Sequence, residues 1–441
     1  MAFPDSKLSK TVRRIIMTSV FILFFITAPI ILSYTAGYRY NLGNGKIERT
    51  GVISLDATPN DADFYINDKL IGQKSPLRIP NVAPGSYHIS IRKSNYHPFE
   101  KDIIVQSQQT TYIKNIFLYA NTLSEKYYTK DIKIREMKVS PTGNYFLSIQ
   151  SPNSANLEKT SLILTNTRNG EEQILREIKT GESLDFSWSP YTDFILLKNK
   201  NSLSILSAET PVSVRTETFD ENTQYIWGHS SSAPEILVRA GDKVRILTKI
   251  GLTDIATTTA TAWFVDTKGQ LWTADDDKIL VQQNPNQPRA YSLPNKPISI
   301  IDIDEKRAII ETEGGITIIK FTGGEPEIHT ISSAVGYYFN THTREWLIWT
   351  DWELWSIYTD GSATILNRTG EKIISARPLD KYGVLLITTP KGIFAFNPGY
   401  YVTQELIPAN NVSEAGANAE KRLLYFLGKV GEKIDIYQLK Y

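Results

Sequence analysis

The sequence predicts an all-β protein behind one N-terminal transmembrane helix: a small β-sandwich, then a β-propeller of eight blades, with seven as the alternative count. Three observations predict this. An uncharged apolar run lies near the N-terminus. Alternating apolar and polar residues punctuated by turn residues fill positions 50–119. One strand–turn–strand pattern then recurs along the rest of the chain, about once every 40 residues.

The apolar run is "IIMTSVFILFFITAPIILSY", Ile15 to Tyr34, and it carries no charge. At 1.5 Å per residue it spans about 30 Å, the thickness of a bilayer's hydrocarbon core. Lys7, Lys10, Arg13 and Arg14 precede it. Positive flanks stay on the cytoplasmic side, so residues 1–14 read as a tail inside and 15–36 as a plasma-membrane anchor. Everything after it is then extracytoplasmic. Membrane helices tolerate an internal proline such as Pro29. A cleaved signal peptide is the competing reading. It fits poorly: a cut after Ala28 meets Pro29, and a cut after Ala36 puts bulky Tyr34 three residues back.

Residues 37–49, "GYRYNLGNGKIER", read as a short polar stem. Alternation follows. Ile53, Leu55 and Ala57 share a face, as do Ala62, Phe64 and Ile66, and Tyr87, Ile89 and Ile91. His88, Ser90 and Arg92 take the opposite face of that last strand. Asn67-Asp68-Lys69 forms a turn. Leu77, Ile79 and Val82 pin a Pro-rich crossing, and "EKDIIVQ" and "TTYIKNIFLY" supply two more strands.

These residues resemble the PEGA domain. Pro59-Asn60-Asp61-Ala62 stands where that family has its Pro-Glu-Gly-Ala turn, keeping the outer two residues. Asn67-Asp68, Gly72 and Ser75-Pro76 match its hairpin, and Pro84-Gly85-Ser86-Tyr87, Lys93 and Asn95-Tyr96 match its second signature. Asn95 replaces the usual Gly, and Asn is well suited to a positive φ. The resemblance implies a surface-protein module without catalytic residues, a spacer or adhesion unit.

From 120 to 441 the apolar second-strand zones start at 139, 188, 227, 263, 301, 338, 377 and 418. Four-stranded propeller blades take about 40 residues each. Two stacked β-sandwiches are the alternative. The last unit stops after its third strand at Tyr441, while a spare strand, "EKYYTKD", precedes the first unit at 125–131. The spare strand is expected to complete the final blade and close the ring, which removes open edges. "SPTGNYFL" and "SWSPYTDFILL" resemble turns of TolB-like and WD40-like propellers, a superfamily too broad to imply a ligand.

The chemistry-bearing residues are sparse. Lys and Arg number 48 against 47 Asp and Glu, a net charge of +1, which gives no electrostatic case for nucleic acid. The absence of cysteine removes disulfides and thiolate chemistry. His88, His97, His229, His329 and His342 show no metal-binding spacing. There is no GxSxG elbow, P-loop or GxGxxG. Asp275-Asp276-Asp277 lacks a calcium-loop arrangement and reads as a solvated turn. The sequons at Asn367 and Asn411 read as chance. No cofactor or metal is implied.

Trp346, Trp349, Trp352 and Trp355 crowd one segment, "EWLIWTDWELWSIY", and could form an aromatic platform for a sugar or peptide. Core packing is the plainer reading, because Trp346 and Trp349 have opposite parity on one strand. Trp188, Trp227 and Trp263 fall at equivalent places in successive units, which points to shared packing. The expected function is non-catalytic binding or scaffolding at the cell envelope, toward a polysaccharide or a membrane or surface protein. The alternatives are a glycan-active enzyme with paired carboxylates at the propeller axis and a sensor acting through a membrane partner.

Overall fold

The computed structural model describes residues 9–41, 45–128, 132–152, 160–179, 182, 184–211, 213–220, 222–229, 233–283, 289–408, 410–431 and 433–441. Positions 1–8 of the expected tail, 42–44 of the stem and 129–131 of the spare strand lie outside the described residues. The chain divides into two compact units, Met1–Ala120 and Asn121–Tyr441.

In the first unit a helix runs from Lys10 to Thr35. Ser9 caps it, its hydroxyl accepting the Val12 N–H at 3.3 Å. Its best window has a mean hydropathy of 2.6, and none of that window is buried within the protein. This is one helix long and apolar enough to cross a membrane. The stem is a hairpin rather than an irregular linker: Tyr38–Asn41 pairs antiparallel with Lys46–Arg49.

The β-sandwich follows. One sheet holds Gly51–Thr58 between Leu77–Val82 and Thr110–Phe117. The other orders Lys69–Gly72, Asp63–Ile66, Gly85–Arg92 and Phe99–Val105. Ile53, Leu55, Phe64, Ile89, Ile91, Phe99 and Ile113 fill the space between them. The expected faces hold, apart from Ser90. That residue is fully buried because Arg92 donates to its hydroxyl at 2.7 Å while the Arg92 guanidinium lies 4.9 Å over the Tyr65 ring. Asn95 takes φ +63°, the left-handed conformation its position demands.

The second unit is a propeller. Among the described residues it contains eight four-stranded antiparallel sheets. Seven run outward in simple chain order from their first strands, which are Ile132–Val139, Asp185–Trp188, Gln224–Trp227, Ala262–Val265, Pro297–Ile303, Gly336–Asn340 and Ser375–Pro378. These are blades 1 to 7. Blade 8 starts with Asn410–Asn418, continues through Leu423–Val430 and Lys433–Lys440, and takes Glu125–Lys126 as its outer strand. Glu125 pairs with Gln438 and Lys126 with Tyr437. The spare strand therefore closes the ring, and among the described residues it pairs through Glu125 and Lys126. Tyr127 follows it into the seam between blades 8 and 1, with ring centroids 5.3 Å from Phe146 and 5.8 Å from Tyr425.

The second strand of each blade is largely apolar and buried on both faces, since each sheet is sandwiched between two others. Blade 5 shows this in Ala308, Ile309 and Ile310, all fully buried. Antiparallel order places the first-to-second turns of every blade at one end of the disc, here the exit face. The blade-to-blade links lie at the other, the entry face.

Candidate functional site at the propeller axis

The first strands meet around the axis, and tryptophan indoles tie them together. Trp188 of blade 2 donates to the Lys138 carbonyl of blade 1 at 2.9 Å. Trp227 of blade 3 donates to Ser187 of blade 2 at 3.1 Å. Trp263 of blade 4 donates to Gln224 of blade 3 at 2.9 Å. Each indole thus bonds the preceding blade. The three are not strictly equivalent: Trp188 and Trp227 end their strands, while Trp263 sits two residues earlier, at the place of Phe186 and Tyr225.

At the exit end, Asp302 of blade 5 is fully buried. His229 of blade 3 meets one of its oxygens through Nδ1 at 2.7 Å. Trp346 of blade 6 donates its indole N–H to the other at 2.7 Å, and Arg307 reaches that oxygen at 3.5 Å. Arg307 is itself buried and also donates to the Ile357 carbonyl at 3.1 Å. Burial pushes the Asp302 carboxyl up, but His229, Arg307 and Trp346 outweigh it and hold the group below its usual range. The hydrogen bond to Asp302 raises His229 above an ordinary imidazole.

Tyr191, in the exit-face turn of blade 2, packs edge-on against Phe339 of blade 6 with centroids 4.8 Å apart. Blades 2 and 6 are opposite in a ring of eight, so this contact crosses the axis. Tyr191 also lies against His229, at 5.4 Å between centroids. Burial raises its phenol well above the ordinary value. Together these rings and the Asp302 network occupy the exit end of the channel.

A second cluster joins blades 6, 7, 8 and 1. Arg377 of blade 7 pairs with Glu414 of blade 8 at 2.6 Å and donates to the Val139 carbonyl of blade 1 at 3.3 Å. Its guanidinium stacks 4.7 Å over the Tyr338 ring of blade 6. Glu414 accepts the Val139 N–H at 3.2 Å. The seam between blades 8 and 1 is therefore closed at the axis by this cluster and at the rim by Glu125–Lys126.

Two recesses flank this core. One, of about 350 Å³, opens at the entry face among Lys198, Tyr225, Ile226, Trp263, Ile298 and Thr223. The Thr223 hydroxyl is buried there without a partner. The other, of about 370 Å³, lies at the exit face between blades 4 and 5 and is polar, with Asp266, Lys268, Arg289 and Glu305 in its wall. Lys268 and Glu305 pair across it at 2.6 Å.

The four clustered tryptophans do not come together as one platform. Trp346 and Trp349 are both buried, on opposite faces of Glu345–Trp349, in separate cores. Trp349 packs against Gly336, where an added Cβ would come within 2.4 Å of the indole. Trp355 is half-buried, with its ring centroid 5.0 Å from that of His329. Trp352 alone of the four is exposed, at 53%. Among the described residues no group of three His, Asp or Glu is placed to hold a metal ion. Sequence reasoning missed Asp302 and Tyr191. The signal for Asp302 was an acid inside the apolar run "ISIIDI".

Among solved structures, the chain resembles the WD40 domain of SCAP from fission yeast, at 11% identity over 72% of this chain and 98% of that one, with a TM-score of 0.40. It also resembles the Cps50 (Swd1) β-propeller domain of Myceliophteria thermophila, at 12% identity over 72% and 100%, TM-score 0.39. Hsv2 of Kluyveromyces lactis matches at 10% identity over 63% and 100%, TM-score 0.39. The propeller assignment itself stands on the blade topology above. No curated protein sequence matches the chain. Residues 50–117 match the PEGA domain family, and the β-sandwich of the first unit is a PEGA domain.

Proposed function

We propose that this protein is a non-catalytic binding or scaffolding protein of the cell envelope, anchored by the Lys10–Thr35 helix with its N-terminus inside and its PEGA domain and propeller outside. The observation that carries the reading is how the axial carboxylates are used. Asp302 faces Arg307 and Glu414 faces Arg377, so each is committed to holding blades together. A glycosidase-type site needs two carboxylates facing each other across a substrate. What the disc offers a partner is surface: the entry-face recess beside Ile298, exposed at 49%, and the entry-face turn that carries Trp352. Arg13 and Arg14 at the start of the helix support the orientation. An envelope polysaccharide or a membrane or surface protein suits such a disc on a short stem.

The test is photocrosslinking in native membranes, with a benzophenone amino acid placed at Ile298 or Trp352 of the intact chain. A discrete adduct from either position supports the proposal, and its sensitivity to protease or to glycosidase tells protein from polysaccharide. Absence of any adduct at both positions, alongside turnover of an envelope glycan by the purified chain, would overturn it in favour of an enzyme.

A further inference from the structure

The hairpin that follows the helix is two-faced. Tyr38 lies opposite Arg49 and Tyr40 opposite Ile47, so these four side chains share one face. Arg39 lies opposite Glu48 on the other. Tyr40 and Ile47 are 62% and 67% exposed, a bare apolar pair. A two-stranded hairpin is marginal in water on its own and needs something against its apolar face.

Its position supplies the occupant. The first strand begins at Tyr38, three residues after the helix ends at Thr35. Arg39 ties it to the last helical turn, donating to the Tyr34 carbonyl at 2.7 Å with its guanidinium 3.6 Å over the Tyr34 ring. If the uncharged run crosses the hydrocarbon core, Tyr34 stands at its outer boundary. The headgroup layer beyond it is roughly 5–8 Å deep. Tyrosine, with an apolar ring and a polar tip, favours that layer, and arginine reaches lipid phosphates from it. The Arg49 guanidinium lies 4.7 Å over the Tyr38 ring on the same face.

We propose that the Tyr38, Tyr40, Ile47 and Arg49 face of this hairpin is a lipid-binding surface seated in the headgroup layer of the membrane the helix crosses. It makes the stem a second membrane contact instead of a water-borne spacer. The inference rests on the helix being a membrane span.

The chain has no cysteine, so single-cysteine variants carry one fluorophore each. The full chain is reconstituted in phosphatidylcholine and phosphatidylglycerol vesicles containing lipids with a quencher either near the headgroup or deep in the acyl chain. Tyr40→Cys and Ile47→Cys carry an environment-sensitive dye, with Phe25→Cys as the mid-helix reference and Asp102→Cys as the solvent reference. The expected result is loss of most of the Tyr40→Cys and Ile47→Cys emission to the headgroup-level quencher, with a blue shift relative to Asp102→Cys. If both hairpin labels behave like Asp102→Cys while Phe25→Cys is quenched by the deep lipid, the hairpin stands in water and the inference is wrong. If Phe25→Cys also escapes quenching, the membrane span itself fails and the inference with it.

Discussion

Trp346 donates its indole N–H to Asp302 at 2.7 Å, from the second strand of blade 6 into the first strand of blade 5. Among the described residues Arg307 has two acidic partners, the fully buried Asp302 at 3.5 Å and the partly exposed Asp304 at 3.7 Å. Removing Asp302 therefore takes the fully buried carboxylate from Arg307 and leaves it the partly exposed Asp304.

Asp302→Ala is expected to destabilise the propeller by about 3–5 kcal/mol, the range for breaking a buried pair from one side. Trp346→Phe keeps most of the packing and loses one charge-assisted hydrogen bond, an expected cost of about 1.5–3 kcal/mol. Denaturant unfolding of the full chain in detergent, followed by circular dichroism, reads both. Equal, small losses for the two variants would show that the carboxylate is not the hub.

The same network sets a pH dependence. His229 is held above its ordinary value, first by the hydrogen bond to Asp302, with Asp304 adding to the effect and burial and Arg307 opposing it. Glu235, raised by its own burial, and Tyr191 also face it. A raised imidazole stabilises the fold when charged. Its contribution is complete below about pH 6.5 and is lost as pH rises through the folded-state value. His342 runs the other way: burial lowers it, so its contribution is present above about pH 6.5 and lost as pH falls through the folded value. His229→Asn should therefore flatten the alkaline side of the stability curve, and His342→Gln the acid side. Unfolding midpoints measured across neutral pH check both; an unchanged alkaline limb in His229→Asn would contradict the first.

Ring closure depends on a very short strand and the aromatic residues after it. Tyr127→Ala removes a ring lodged against Phe146 and Tyr425 and is expected to cost about 3 kcal/mol. Deleting residues 121–128 should do more, lowering the melting temperature and promoting aggregation through the exposed edge of Lys433–Lys440. Unchanged melting after the deletion would mean that the Arg377–Glu414 cluster closes the ring by itself.

Much of this architecture is written locally and so was legible. Alternation at Ile53, Leu55 and Ala57 marked a half-buried strand, and the recurring apolar zones marked the second strands of the blades. A strand missing at one end and spare at the other announced the closure. The axial cluster was not legible, because it joins Tyr191, His229, Asp302 and Phe339 from four blades, and spacing within one segment carries no trace of that. The tryptophan segment was legible in part, through the opposite parity of Trp346 and Trp349. Crowding in sequence put Trp346 and Trp349 on opposite faces of one buried strand, in different cores. The stem hairpin leaves little trace in the sequence because its strands pair over only four residues each.

The most direct test of the account is where the propeller sits. Ile250, exposed at 86%, is changed to cysteine in the cysteine-free chain, and intact cells are treated with a membrane-impermeant maleimide. The account predicts labelling of Ile250→Cys before lysis and retention of the labelled chain in the membrane fraction. Labelling only after lysis would place the propeller inside the cell and contradict it.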